Sequence, residues 1–169
     1  ISQSRICQFE QTNSIPLFIA KRLNLLKPEY ITSNNKSVLI KNPLPLKMSS
    51  SLARVLANLV GDCSIDSKKI IKENCYDFRY HNTNINLIKR FIKDIKNIFG
   101  INLDIKLAKP KQGHLPKYYV KIPAAIGRII SILFSDVIKK NAVKLSPEFY
   151  PEFIGSLFDD EGHSTKSEP

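Results

Sequence analysis

Two stretches of this chain end in the same way. The run SLARVLANLVGDCSI, from Ser51, is an apolar segment that stops at Asp62. The run PEFIGSLFDDEGH, from Pro151, is an apolar segment that stops at Glu161. In the first, Ala53, Ala57 and Gly61 fall four apart, so on a helix they make one ridge of small residues. Leu52, Val55, Leu56, Leu59 and Val60 surround that ridge with bulk. The second offers Gly155 and Ser156, with Phe153, Leu157 and Phe158 around them. Small ridges let two helices approach backbone to backbone. If they lie side by side and parallel, Asp62 and Glu161 emerge together at C-terminal ends, where the helix dipole is already negative. Two carboxylates about 5 Å apart repel by roughly 3 kcal/mol at an effective dielectric of about 20. Structure alone gains nothing from that. A divalent cation such as Mg²⁺ relieves it, because hard cations take one or two carboxylates together with phosphate oxygens and water. The plain alternative is two unrelated core helices with solvated terminal acids. The repetition of an acid in the same place favours the pair.

Composition narrows the partners. The 169 residues hold one ordinary domain, or one domain with a small module. Hydrophobic residues make up 43%, enough for a core, and the formal net charge is +11. That excess points to a phosphate-rich partner, with a basic surface kept for solubility as the alternative. No apolar run approaches the roughly 20 residues that span a bilayer, and no signal peptide is visible at the start. Cys7, Cys63 and Cys75 are odd in number and lack C-x-x-C spacing, which reads as free thiols in a reducing cytoplasm. With His81, His114 and His163 they make no zinc pattern.

Taken in order, residues 1 to 46 read as a small, mostly helical module. Ser14 can cap a helix with Pro16 in its first turn. An upstream helix and a polar turn before it suggest a helix-turn-helix, and a hairpin follows around residues 33–36. Pro43 and Pro45 exclude helix and mark a boundary near residue 46. From Ser51 onward the pattern is helix, strand, strand, helix, strand, strand, helix, and then the second acid-terminated helix. The strands are expected at residues 64–72, 76–81, 101–108 and 116–122. The helices are expected from Asn82 to Phe99, closed by Gly100, and from Pro123 to an end at residues 139–141, with Val137 on its inner face. Residues 47–146 form the main unit, and 147–169 hold the second motif helix.

The two motifs, this element order, the stretch beginning at Tyr80 and the YYVKIP run ending at Pro123 together resemble the LAGLIDADG homing endonucleases. The family's signature is a small-residue-bearing apolar helix that stops at a metal-binding Asp or Glu, usually followed by Gly. Ile154 to Gly162 matches closely. Val55 to Cys63 is looser, because Cys63 stands where the family has Gly. The resemblance implies an α+β fold, with one α-β-β-α-β-β-α half and the start of a second. It implies an intron- or intein-associated enzyme that hydrolyses double-stranded DNA at a long specific site. Asp62 and Glu161 would hold Mg²⁺, and Lys121 in the YYVKIP run would assist at the phosphate. It also implies a second sheet after Gly162. That sheet is expected in a missing C-terminal half, since both chain ends read as those of a fragment.

An antiparallel ribbon fits the major groove of DNA. Candidates for its exposed face are Lys68, Lys72, Arg79, His81, Lys106, Lys117 and Tyr119, with Lys109 and Lys111 in a loop suited to phosphate contact. Strand register is open at this level, and each lysine is equally a solvated surface residue. A DNA-binding regulator that does not cut, and an RNA-splicing maturase, are the alternatives on the same scaffold. Retention of both acids argues against the first.

Overall fold

The structure, a computed structural model, describes residues 30–32 and 39–41 as backbone strands, together with 46–64, 78–108, 116–134 and 145–161. Strands β1 (Tyr30–Thr32) and β2 (Leu39–Lys41) pair antiparallel, as the hairpin expectation requires. The helices expected at residues 1–27 lie outside the described residues.

Helix α1 (Ser50–Val60) begins where Ser49 accepts a hydrogen bond from the backbone N–H of Leu52, a standard N-cap. It leads into β3 (Cys63–Ser64), and β4 follows at Phe78–Asn82. Helix α2 (Ile85–Phe99) is capped by Asn84 and closed by Gly100, which adopts φ 70°, a left-handed conformation that glycine takes without strain. Strands β5 (Ile105–Leu107) and β6 (Tyr118–Ile122), α3 (Ala124–Leu133), a 3-10 turn (Pro147–Phe149) and α4 (Tyr150–Glu161) complete the order. This is an α+β arrangement, with four helices and a four-stranded antiparallel sheet of order β3-β4-β6-β5 among the described residues.

Several elements are shorter than expected: Asn82 belongs to β4, so α2 begins at Ile85, and β6 begins at Tyr118, while residues 65–77 of the first two expected strands lie outside the described residues. β5 pairs only with β6, through Ile105↔Val120, Lys106↔Tyr119 and Leu107↔Tyr118. Its upstream residues have no ladder partner there, and Ile101 and Leu103 pack against the core instead. α3 is closed at Phe134, and Val137 lies outside the described residues.

The register divides the sheet into two faces. Phe78 opposes Ile122 and Tyr80 opposes Val120; all four are fully buried. With Cys63 they face a core of Leu52, Val55, Leu56 and Leu59 from α1, Ile88, Phe91 and Ile95 from α2, and Ile126, Ile129 and Ile130 from α3. The alternate residues, Arg79, His81, Tyr119, Lys121 and Lys106, share the other face.

α1 and α4 lie parallel and touch along their length. Near the N-terminal ends, Ser50 Oγ donates to Glu152 Oε1 at 2.9 Å. Midway, Asn58 Nδ2 donates to Ser156 Oγ at 3.0 Å. At the C-terminal ends a Cβ on Gly61 would fall 3.2 Å from both Cβ and Oδ2 of Asp160. A side chain there would make Asp160 give by a few tenths of an ångström, so the small residue is favoured by the closeness of the neighbour rather than by its φ of −74°. The two helices are otherwise unlike. α1 buries seven residues, from Leu52 to Leu59; α4 buries Ser156 alone.

α2 holds the other flank of α1. Arg54 donates to both oxygens of Asp94, at 2.8 Å from Nε and 2.6 Å from Nη2, and Ser51 Oγ adds a third bond at 2.7 Å. Asp94 is only 2% exposed. Removing one member of a buried, bidentate pair leaves the other charge without its partner. Asp94→Ala is therefore expected to cost about 3 kcal/mol in a urea titration; a loss below about 1 kcal/mol would mean that water replaces the carboxylate.

Candidate functional site

The C-terminal ends of α1 and α4 meet at the edge of the sheet. Asp62 sits in the turn after α1, and the chain holds it twice. Its carbonyl accepts from the backbone N–H of His81 at 3.3 Å, and its Oδ2 accepts from Asn82 Nδ2 at 2.9 Å. Asn82 is itself oriented, because its Oδ1 accepts from the backbone N–H of Asn84 at 2.8 Å. Asp62 is thus pinned to the end of β4. Burial pushes its carboxyl pKa upward; the negative field of Asp160 and a smaller one from Glu161 push the same way, while Lys117 and the bond from Asn82 oppose them. Asp62, Asp160, Glu161 and Lys117 therefore share one electrostatic neighbourhood.

Asp62 and Glu161 stand at the C-terminal ends of two contacting helices, and the field of Glu161 reaches Asp62. Lys121 opposes Arg79, three residues along the ladder from the Asn82↔Tyr118 pair at the site, roughly 10 Å away at about 3.3 Å per residue. Lys117, named above only as a DNA contact, is the lysine that acts on Asp62. Burial lowers the pKa of His81, and Lys117 and then Arg79 push the same way. His81 stacks on Tyr119 with ring centroids 5.5 Å apart. Arg79, His81, Lys106, Tyr119 and Lys121 line the outer sheet face, which the open register had left undecided. Lys68, Lys72, Lys109 and Lys111 lie outside the described residues.

The sequence pattern alone does not reveal the polar network in the α1–α4 seam. Asp160 accepts from the Tyr80 hydroxyl at 2.6 Å and from Asn58 Nδ2 at 2.7 Å. Tyr80 comes from the inner sheet face, where its ring stacks on Phe91 at 4.5 Å. Burial pushes its phenol pKa strongly upward, and the carboxylate of Asp160 adds to that. Two signals were present. Asn58 stands amid the apolar run of α1, and aligning the copies on their terminal acids sets Gly61 against Asp160. Nearby, Arg90 of α2 pairs with Asp159 at 2.7 Å.

Two carboxylates at converging helix ends suit a hard cation that takes its remaining ligands from phosphate and water. Among the described residues no three His, Cys, Asp or Glu side chains converge as a metal cluster. Cys63 is buried, on the core side of the sheet.

Burial is also the first cause of a raised pKa at Asp160, ahead of the opposing bonds from Asn58 and Tyr80. A carboxyl with a raised folded pKa binds more protons folded than unfolded. Its contribution is therefore fully present below its unfolded value, about pH 4, and is lost as pH rises through the folded value. Asp160→Asn removes that loss, and the Tyr80 hydroxyl can accept from the new amide. The variant is expected to melt at or above the wild-type temperature at pH 7, with the difference closing near pH 3, as followed by circular dichroism. A variant less stable at pH 7 than at pH 3, relative to wild type, would show that the charge itself stabilises the seam.

No protein-family model matches this sequence, and comparison with curated proteins finds no significant relative.

Proposed function

We propose that this chain is the DNA-binding and catalytic part of a divalent-cation-dependent nuclease of the LAGLIDADG homing-endonuclease type, acting on double-stranded DNA. The observation that carries the reading is the parallel seating of two acid-terminated helices, in contact at Gly61 and Asp160, with Asp62 and Glu161 at their ends. A basic and aromatic sheet face adjoins them, and the chain carries a net charge of +11. Such a face suits a major groove, with phosphates contacted by lysine and arginine and base edges by the stacked His81 and Tyr119.

Asp62 and Glu161 would hold Mg²⁺. A bound Mg²⁺ supplies Lewis-acid polarisation of the phosphate and lowers the pKa of water. Asn82 orients Asp62 for that contact. Lys117, beside Asp62, is placed to neutralise charge that builds on the phosphate oxygens. The chemistry calls on no side-chain nucleophile.

The unlike burial of the two helices fits a two-half enzyme. With the terminal acids aligned, Ile154 corresponds to Val55 and Phe158 to Leu59. Val55 and Leu59 are fully buried in the core, whereas Ile154 is 46% and Phe158 70% exposed. A second sheet, in another segment or another chain, would cover them.

In the active assembly Asp62→Asn should abolish Mg²⁺-dependent cleavage of a DNA library and leave duplex affinity equal or higher. Lys117→Ala should slow cutting more than Lys121→Ala. Duplex binding should fall by about 10³ or more between 50 and 200 mM salt if six or more phosphates are neutralised. Cleavage by Asp62→Asn at the normal rate would remove the catalytic assignment, and a flat salt dependence would remove the nucleic-acid reading. Tighter binding to structured RNA, without cleavage, would move the reading to an RNA partner.

A further inference from the structure

Asp160 lies between the two acids yet is chemically unlike either. Both of its oxygens are engaged from within the protein, Oδ1 by the Tyr80 hydroxyl at 2.6 Å and Oδ2 by Asn58 Nδ2 at 2.7 Å. Its Cβ sits where a side chain on Gly61 would have to go. One carboxylate thus ties α4 to α1 through Asn58 and to β4 through Tyr80.

Those bonds bear on the neighbouring acids. Asp62 hangs from β4 through Asn82, two residues beyond Tyr80 on the same face of that strand. Glu161 directly follows Asp160 on the last turn of α4. Both acids are therefore referred to one rigid strand, Asp62 by Asn82 and Glu161 by the Asp160–Tyr80 bond. Tyr80 cannot swing, since it is fully buried against Phe91.

We propose that Asp160 is a positioning residue, whose clamp on Tyr80 and Asn58 sets the separation of Asp62 and Glu161 and thereby selects Mg²⁺, a small ion with strict geometry, over Ca²⁺. The inference rests on the reading of Asp62 and Glu161 as a cation pair. Mg²⁺ demands near-ideal octahedral geometry, at about 2.0–2.1 Å, whereas Ca²⁺ accepts six to eight oxygens at longer and more variable distances. A pair displaced by a few tenths of an ångström should lose the first ion and keep the second. Loss of charge alone should weaken both alike.

The test uses the full chain bound to a short non-specific duplex, with Mg²⁺ and Ca²⁺ uptake measured separately by titration calorimetry and the fold checked by circular dichroism. Tyr80→Phe keeps all three charges and removes one arm of the clamp. Gly61→Ala pushes the helices apart from the opposite side. Each is expected to weaken Mg²⁺ about tenfold and Ca²⁺ less than about twofold. Asp160→Asn keeps the contacts and removes the charge, so it is expected to weaken both ions together and hold their ratio near the wild-type value. Equal weakening of both ions in Tyr80→Phe and Gly61→Ala, or no change in either, overturns the positioning role. If the wild-type complex itself takes up neither ion, the cation-pair reading falls, a result distinct from a clamp that does nothing.

Discussion

The contact on which the rest depends is the close approach of α1 and α4 at Gly61. A helix pair can bring two chain ends together only if the side chains between them are small or mutually satisfied. Here the seam combines both solutions. Gly61 contributes no side chain, Ser156 is small and buried, and Asp160 fills the remaining space with a carboxylate that two donors engage. An acid in a seam is costly, and the upward push that burial gives its pKa is the sign of that cost. Removing both donors would leave a desolvated charge beside another acid. The network therefore survives as a unit, which is why Asn58 and Tyr80, neither of them acidic, belong to the same assembly.

α1 serves two surfaces at once. Leu52, Val55, Leu56 and Leu59 fill the core, while Asn58 and Gly61 form the seam. Its rotation about its own axis is fixed by the core, and by Arg54 reaching Asp94 on α2. Any turn of α1 would carry Asp62 away from Asn82. The sheet performs a parallel division. Its inner residues make the core, its outer residues make a face of positive charge, and the acids stand at the edge where β4 ends. Negative charge is concentrated at the two helix ends and positive charge on the adjoining face. Lys117 stands at the boundary, acting on both Asp62 and His81.

The element order was legible because it is written in periodicities. The ridge of Ala53, Ala57 and Gly61, the apolar face of α2 and the Gly100 stop follow from local rules, and the structure has them in place. The side-by-side packing of the two acid-terminated helices was legible because the two copies end alike. What local pattern could not supply was register. The alternation of YYVKI says that Lys121 lies beside Val120 but not which residue of β4 it opposes. Ladder pairing sets it against Arg79, and Lys117 is a lysine whose field reaches Asp62. Asp160 was legible only in part. In the run DDE all three residues are acids on a C-terminal turn, and only the partner helix separates them. Asp159 goes outward to Arg90, Asp160 inward to Tyr80, and Glu161 to the helix end.

The two terminal acids are held unequally. Asp62 has a backbone tether and a side-chain donor, both from β4. Glu161 is exposed, and among the described residues no hydrogen bond to its carboxylate is present. Its place is therefore set by its helix, and α4 rests on the seam, on Phe153 against the core and on the Arg90–Asp159 pair at the surface. Surface pairs of that kind contribute at most about 1 kcal/mol, so the buried contacts at Ser156 and Asp160 bear most of the task. Covering Ile154 and Phe158 with a second layer would hold α4 from its other side, as the core already holds α1. Glu161 is therefore placed through the seam contacts of its helix, whereas Asp62 is tied to β4 directly.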